Sequence, residues 1–423
     1  MKREFEEENM NKKVDIIGAG VAGLSAGCYL RMNGYDTDIF ELHELPGGLC
    51  TSWERNNYIF DGCIHWLAGS SPTHNFYHLW NELIDMKTLK FFDYKECFRV
   101  EDKNGQFISV RTNLDELERE LLEKAPEDQK RITEFIGTTR KFLGLKLPVE
   151  KAPETFNLAD GIKMLFKFMP YLGDLRKWVR ITTREYARKC KNPLLGKIFE
   201  FMYLPEMSVL FLIMLMVCMH KKSAGFPIGG SLKFARLIEK KYLELGGRIH
   251  YKSRVKKIII KDNAAKGVRL ENGESHEADI VISAADGYST IFEMLGGKYT
   301  NKKILRCYEN FTPFPSFLQV SLGLSRTFPD VPHTLLFPLE KPMAVDPGTS
   351  YEDIRVRLFN FDPTLAPEGK TVLTTIISTY NYKYWTDLRQ NNREKYYDEK
   401  KRIADEVIEV LEKKYGNIKS HIE

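Results

Sequence analysis

Residues 13–23 read KVDIIGAGVAG: a short apolar strand ends in glycine and runs through Gly18, Gly20 and Gly23 into a helix. A GxGxxG match carries chemistry only at such a strand–helix junction. There, Gly18 makes the tight turn, Gly20 lets a pyrophosphate approach the backbone, and Gly23 lets the helix pack on the sheet. Ala19 and Ala22 keep the rest of the turn small. The helix is expected over 20–33, with Leu24, Ala26, Cys28, Tyr29 and Leu30 on its buried face and Asn33-Gly34 as its stop. Its N-terminus offers unpaired amides and roughly half a positive charge to an anion. YDTDIFE, residues 35–41, is a second strand, so the unit is a right-handed βαβ with parallel strands. Glu41 ends that strand 23 residues after Gly18, where a carboxylate accepts the hydroxyls of an adenosine ribose. The same charge repels a 2′-phosphate, which disfavours NADP at this site.

A βαβ unit alone serves NAD or FAD. PGGLCTSW follows at once, and Gly47-Gly48 bring a second stretch of bare backbone to where the chain returns beneath a cofactor. A β-turn explains the same three residues Pro46-Gly47-Gly48. NYIFDGCIHW then reads as a strand, Tyr58 to Trp66, with His65 and Trp66 nearest a flavin ring. A hydrogen-bonded core histidine is the other reading of His65.

Beyond this, FRVEDKNGQFISV is a hairpin on Asn104-Gly105, and residues 113–220 are helical. The 154–180 part is amphipathic and basic, interrupted by Pro170 and Gly173. Residues 231–262 read as a helix, a Gly246-Gly247 stop and a strand. A hairpin on Asn272-Gly273 and a buried strand, Ala278 to Ser283, follow. Residues 313–324 and 371–380 suggest a further sheet, and 394–414 a charged helix. The α/β pattern therefore occurs twice, at 11–66 and 225–290, with a helical block between.

The net charge is +5, from 63 basic and 58 acidic residues, which argues against a nucleic-acid binder. The charged N-terminus, MKREFEEENMNKK, lacks the apolar core of a signal peptide. The longest apolar run, Val209 to Met219, is 11 residues, where a spanning helix needs about 20. Seven cysteines are scattered without CxxC, which suits a reducing cytoplasm better than a disulfide framework. His74 and His78 share helical spacing, but no HExxH glutamate accompanies them, and no metal is expected. No GxSxG and no triad is present. Met202, Tyr203, Met207, Phe211, Met214, Met216 and Met219 suit either an adaptable apolar tunnel or a plain core. The basic 160–180 segment suits a peripheral membrane contact or a solvated helix face.

VDIIGAGVAGLSAGCYLRMNGYDTDIFELHELPGGLCTSW, with FPIGGSLKFARLIEKKYLELGGRIHYKSRVKKI and ADIVISAAD, resembles FAD-dependent oxidoreductases of the phytoene desaturase family. That family includes carotenoid isomerases and retinol saturases, within the amine-oxidase-like flavoproteins. The resemblance covers most of 13–300 and continues loosely to the end. It implies FAD held by Gly18, Ala19, Gly20, Ala22, Gly23, Glu41, Gly47 and Gly48, with adenine gripped at Val255. Many relatives carry arginine where Leu49 stands, so one charge-assisted diphosphate contact is lost here. It implies a fold of α/β class: a discontinuous Rossmann-type FAD-binding domain (11–95 and 225–300) with an inserted, largely helical plus β-sheet substrate domain (96–224 and 301–393). The 394–423 helix would lead to a glycine-rich flavin-side segment, which the chain, ending at KSHIE, is expected to lack. The implied reaction is hydride transfer between an apolar polyene or isoprenoid and the flavin, with NAD(P) or a quinone as electron partner. A flavin amine oxidase and an inactive flavoprotein fragment are the other readings.

Overall fold

The computed structural model describes residues 12–202 and 204–423. Most of the charged N-terminal stretch and Tyr203 lie outside the described residues.

The βαβ unit forms as its spacing predicts. Strand β1 (Lys13–Ile17) runs parallel to β2 (Asp36–Phe40), and the helix Val21–Met32 connects them. Two later strands, β10 (Arg248–His250) and β14 (Ile280–Ser283), complete a four-stranded parallel sheet in the order β10-β2-β1-β14. The helix Val21–Met32 buries Gly23, Leu24, Gly27 and Cys28, with Tyr29 and Leu30 partly buried against the same core and Ala26 half-buried. Gly27 was not expected on that face. A Cβ there would lie 2.7 Å from the Tyr242 ring, so the helix Gly230–Glu244 packs directly on its backbone. Strand β14 is an edge strand, and Ile280 on it is exposed, so the expectation of a fully buried strand is corrected.

The expected strand over 58–66 is shorter. Strands β3 (Ser52–Arg55) and β4 (Tyr58–Asp61) form a two-stranded hairpin turned by Asn56 and Asn57, both in left-handed backbone. Residues 62–66 leave strand geometry because the Asp61 carboxylate turns back to accept from the Cys63 amide at 3.2 Å. The stretch after Gly246-Gly247 is likewise two strands in two sheets. Strand β11 (Val255–Lys261) leaves β10 to pair with β12 (Ala264–Leu270), which pairs in turn with β13 (Ser275–Glu277).

A six-stranded sheet runs, edge to edge, through Ser316–Leu324, Thr371–Thr379, Thr349–Leu358, Thr334–Asp346, Glu96–Glu101 and Phe107–Arg111. It combines the Asn104-Gly105 hairpin, β7 (Glu96–Glu101) and β8 (Phe107–Arg111), with β15 (Ser316–Leu324), β16 (Thr334–Asp346), β17 (Thr349–Leu358) and β18 (Thr371–Thr379). Only the β16–β7 join is parallel; the other neighbours are antiparallel. The helical block covers one part of it. Its helix Val209–His220 is apolar on every side and correspondingly buried. Met202 and Met216 lie inside that core, with Phe211 and Met214 packed against it. The helix Arg393–Tyr415 sets Ile403, Val407 and Leu411 into the core of the six-stranded sheet. No helix among the described residues is long and apolar enough to cross a membrane.

Candidate functional site

The two glycine motifs meet at the C-terminal end of β1. Gly18 takes φ +98°, and its amide donates to the Phe40 carbonyl at 2.8 Å, which closes the turn against β2. Gly23 has no room for a side chain, since a Cβ would lie 2.0 Å from the Gly18 carbonyl oxygen. Gly47 takes φ +105° and donates its amide to the Ala19 carbonyl at 2.8 Å. It also accepts from the Cys50 amide at 2.9 Å, which closes a turn over Gly47-Gly48. Gly48 takes φ +60° and would set a Cβ 3.3 Å from Gly20 Cα.

Gly20 differs from its neighbours. It is the N-cap of the helix Val21–Met32 at φ −64°, a conformation open to any residue. A Cβ on it would meet nothing nearer than 3.9 Å. Neither packing nor backbone geometry requires glycine here. The bare surface faces the helix N-terminus, where the first-turn amides lack helical partners and no acidic side chain occupies the turn. A diphosphate fits that cradle. Ala22 is exposed on the same first turn, and Ala19 is buried beneath it.

Glu41 is buried at the end of β2. One carboxylate oxygen accepts from the Ala19 amide at 2.6 Å and the other from the His43 amide at 2.8 Å. Each retains lone-pair capacity for a hydroxyl. The Glu41 main chain extends the sheet toward the 250–253 segment, donating to the His250 carbonyl at 2.9 Å and accepting from the Ser253 amide at 2.8 Å. Val255 follows, buried with Ile17, Phe40 and Ile258. The predicted diphosphate, ribose and adenine contacts thus lie along one edge. Leu49 stands almost fully exposed beside Gly48.

His65 is bonded to a residue the sequence reading missed. Arg357 on β17, 9% exposed, donates to His65 Nδ1, and its second terminal nitrogen reaches the Tyr94 hydroxyl at 2.6 Å. Phe226, Phe359 and Phe361 surround the guanidinium at 5.2, 4.7 and 5.9 Å from their ring centroids. Burial first, and the Arg357 charge second, hold the His65 pKa well below the usual histidine value, so the ring is neutral at neutral pH. Trp66 lies near by, its ring 6.1 Å from that of Phe211. His74 instead accepts from the Phe76 amide at 3.1 Å, at the start of the helix Phe76–Leu83.

Asp61 is a second missed residue. It is 2% exposed and sits at the N-terminus of the helix Gly230–Glu244, accepting from the Ser231 amide and, at 2.8 Å, from the Ser231 hydroxyl. Gly230 would place a Cβ 2.4 Å from that carboxylate, which explains the glycine. Asp362 accepts from the preceding Gly229 amide at 2.8 Å. This helix end therefore has carboxylates on its cap and first-turn amides, whereas at Gly20 the Glu41 carboxylate reaches the Ala19 amide one residue before the cap.

Comparison with known proteins gives the chain's family and fold. The profile of the family "Flavin containing amine oxidoreductase" matches residues 21–422. The chain is 27% identical over 420 residues to a chloroplastic prolycopene isomerase of Daucus carota, covering 94% of this chain and 66% of that protein. It is 25% identical over 389 residues to a zeta-carotene-forming phytoene desaturase of Myxococcus xanthus, covering 86% and 72%. The fold resembles that of an oxidoreductase from Methanosarcina mazei, with TM-score 0.56 and 18% identity over 90% of this chain and 83% of the other. The chain spans about two-thirds of the length of the first of these relatives.

Proposed function

This chain belongs to the flavin-containing amine oxidoreductase family, and on that premise we propose an FAD-dependent oxidoreductase whose substrate is a long apolar polyene or isoprenoid. The observation that carries the cofactor is Gly20, bare where the protein itself does not need glycine, beside the ribose-accepting Glu41. FAD, when bound, supplies two-electron hydride chemistry. The chain's own residues bind and orient. The Gly18–Gly23 turn presents amides to the diphosphate, Glu41 accepts hydroxyls, and Val255 offers main-chain atoms to adenine. His65, neutral and held by Arg357, keeps one ring face of the site free of a titrating charge.

The substrate class rests on the similarity to carotenoid-modifying relatives. An amine substrate is disfavoured by Arg357. The Phe226, Phe359 and Phe361 cage that would suit an ammonium already surrounds a guanidinium, and a second cation beside it would be repelled. A peripheral membrane contact also fits the reading. The helix Leu158–Phe168 has no buried residue, and Leu158, Leu165 and Phe166 are more than half exposed beside Lys163 and Lys167. Such a face could take lipid-dissolved substrate from an anionic surface.

The test is the visible absorption of the purified chain after FAD addition and gel filtration. Flavin bands at near-stoichiometric level are expected, followed by turnover of polyenes. A folded protein that stays colourless would overturn the reading.

A further inference from the structure

The hairpin β3–β4 pairs Arg55 with Tyr58, Glu54 with Ile59, Trp53 with Phe60 and Ser52 with Asp61. Beyond the last pair, Cys50 and Cys63 flank the mouth of the hairpin, and their side chains are in hydrogen-bonding contact. A third residue confirms the convergence. The Cys50 thiol donates to the Ser231 carbonyl at 3.4 Å, while the Ile64 amide, next to Cys63, donates to the Ser231 hydroxyl at 2.9 Å.

The two thiols differ in access. Cys63 is exposed and Cys50 is buried. We propose that Cys50 and Cys63 are a redox pair, in which a peroxide oxidises Cys63 and Cys50 resolves it to a disulfide across the hairpin mouth.

The chemistry balances with hydrogen peroxide as the named oxidant. The Cys63 thiolate attacks one peroxide oxygen, the O–O bond breaks, and the departing hydroxide takes a proton to become water. The Cys50 sulfur then attacks the Cys63 sulfenic sulfur, an S–S bond forms, the S–O bond breaks, and the second water leaves with the Cys50 proton. Two thiols lose two electrons, and one peroxide becomes two waters. A dithiol reductant reverses the change by exchange. Contact with the Cys50 thiol lowers the pKa of Cys63, while that contact and burial raise the pKa of Cys50. The exposed sulfur is thus the nucleophile, and the buried one keeps its proton until needed. Cys50 is also bonded through its amide to Gly47. The disulfide would fasten the glycine-pair turn to the segment carrying His65.

The experiment uses the full chain, reduced and then treated with stoichiometric hydrogen peroxide, alkylated, digested and measured by mass spectrometry without reduction. The expected product is a peptide pair joined through Cys50 and Cys63, lighter by two hydrogens, with the other cysteines alkylated. In Cys50→Ser, a sulfenic-acid trap should label Cys63; in Cys63→Ser, Cys50 should remain a thiol. If Cys63 stays alkylatable in the wild type, or the cross-link joins other cysteines, or the trap misses Cys63 in Cys50→Ser, the proposal fails. None of these readouts depends on flavin, so the result stands apart from the fate of the FAD reading.

Discussion

The Glu41 carboxylate accepts the Ala19 amide at 2.6 Å, which ties the end of β2 to the turn between Gly18 and Gly20. The residue that would hold the ribose therefore also braces the diphosphate turn. Glu41→Ala strands the buried Ala19 amide, at about 1–3 kcal/mol. It also removes the hydroxyl acceptor. We expect a lower urea midpoint and FAD affinity reduced by about ten- to hundredfold, read by flavin fluorescence titration. Unchanged FAD affinity would remove Glu41 from the ribose site.

Gly20→Ala separates cofactor from fold. The new Cβ has space in the protein, so stability should change by no more than about 1 kcal/mol, as for other N-cap changes. The same methyl group would stand in the diphosphate cradle, and FAD affinity should fall at least about tenfold, or ~1.4 kcal/mol. Gly23→Ala should lose both, because its Cβ would overlap the Gly18 carbonyl. Denaturation curves beside FAD titrations decide it; normal flavin binding by Gly20→Ala would contradict the assignment.

Asp15 sets a pH signature. It is fully buried on β1 with neither carboxylate oxygen hydrogen-bonded, and burial pushes its pKa up to about 6. Its neighbour Asp38 is also partly desolvated, but hydrogen bonds from Arg248 and His250 outweigh that and bring it down to about 2. A carboxyl whose folded pKa exceeds its unfolded one binds more protons when folded. Its penalty is absent below the unfolded value near 3.8, grows as pH rises to about 6, and is constant above, at about 3 kcal/mol. Asp15→Asn should therefore be more stable than the wild type at pH 8, by about 1–3 kcal/mol. The difference should shrink as pH falls from 6 to 4. A pH-independent difference in melting temperature would refute the buried-charge account.

Arg357→Met should release His65. Burial remains the larger cause of the low pKa, so the shift is partial, but the ring titration seen by NMR should move toward the usual histidine range. Stability should fall too, since Tyr94 and His65 lose a shared donor, at about 1–3 kcal/mol. An unmoved His65 titration would show that the guanidinium charge does not reach the ring.

The exposed helix Leu158–Phe168 can be tested on vesicles. Removing two apolar side chains from a lipid-facing surface forfeits about 1.5–3 kcal/mol each, so Leu165→Ser with Phe166→Ser should weaken binding to anionic vesicles by more than tenfold. Equal sedimentation of the variant and the wild type would show that this face meets water only.

The βαβ unit and its glycines were legible in the sequence because their causes are local. A positive-φ turn, a helix that crosses its own turn, and an acid at a strand end are set by residues within one short segment. Gly18, Gly23 and Glu41 therefore stand where their spacing predicts. The hairpin on Asn104-Gly105 and the helix Arg393–Tyr415 were legible for the same reason. Tertiary structure alone decided the rest. Arg357 reaches His65 across 292 positions because β17 lies in the sheet facing that segment. Asp61 is held at a helix terminus because Ser231, 170 positions away, supplies amide and hydroxyl donors to it. Gly27, not Ala26, faces inward because the Tyr242 ring needs the space. Each of these rests on which distant surfaces pack together, and burial, unlike chain periodicity, leaves no local pattern in the residues it brings into contact.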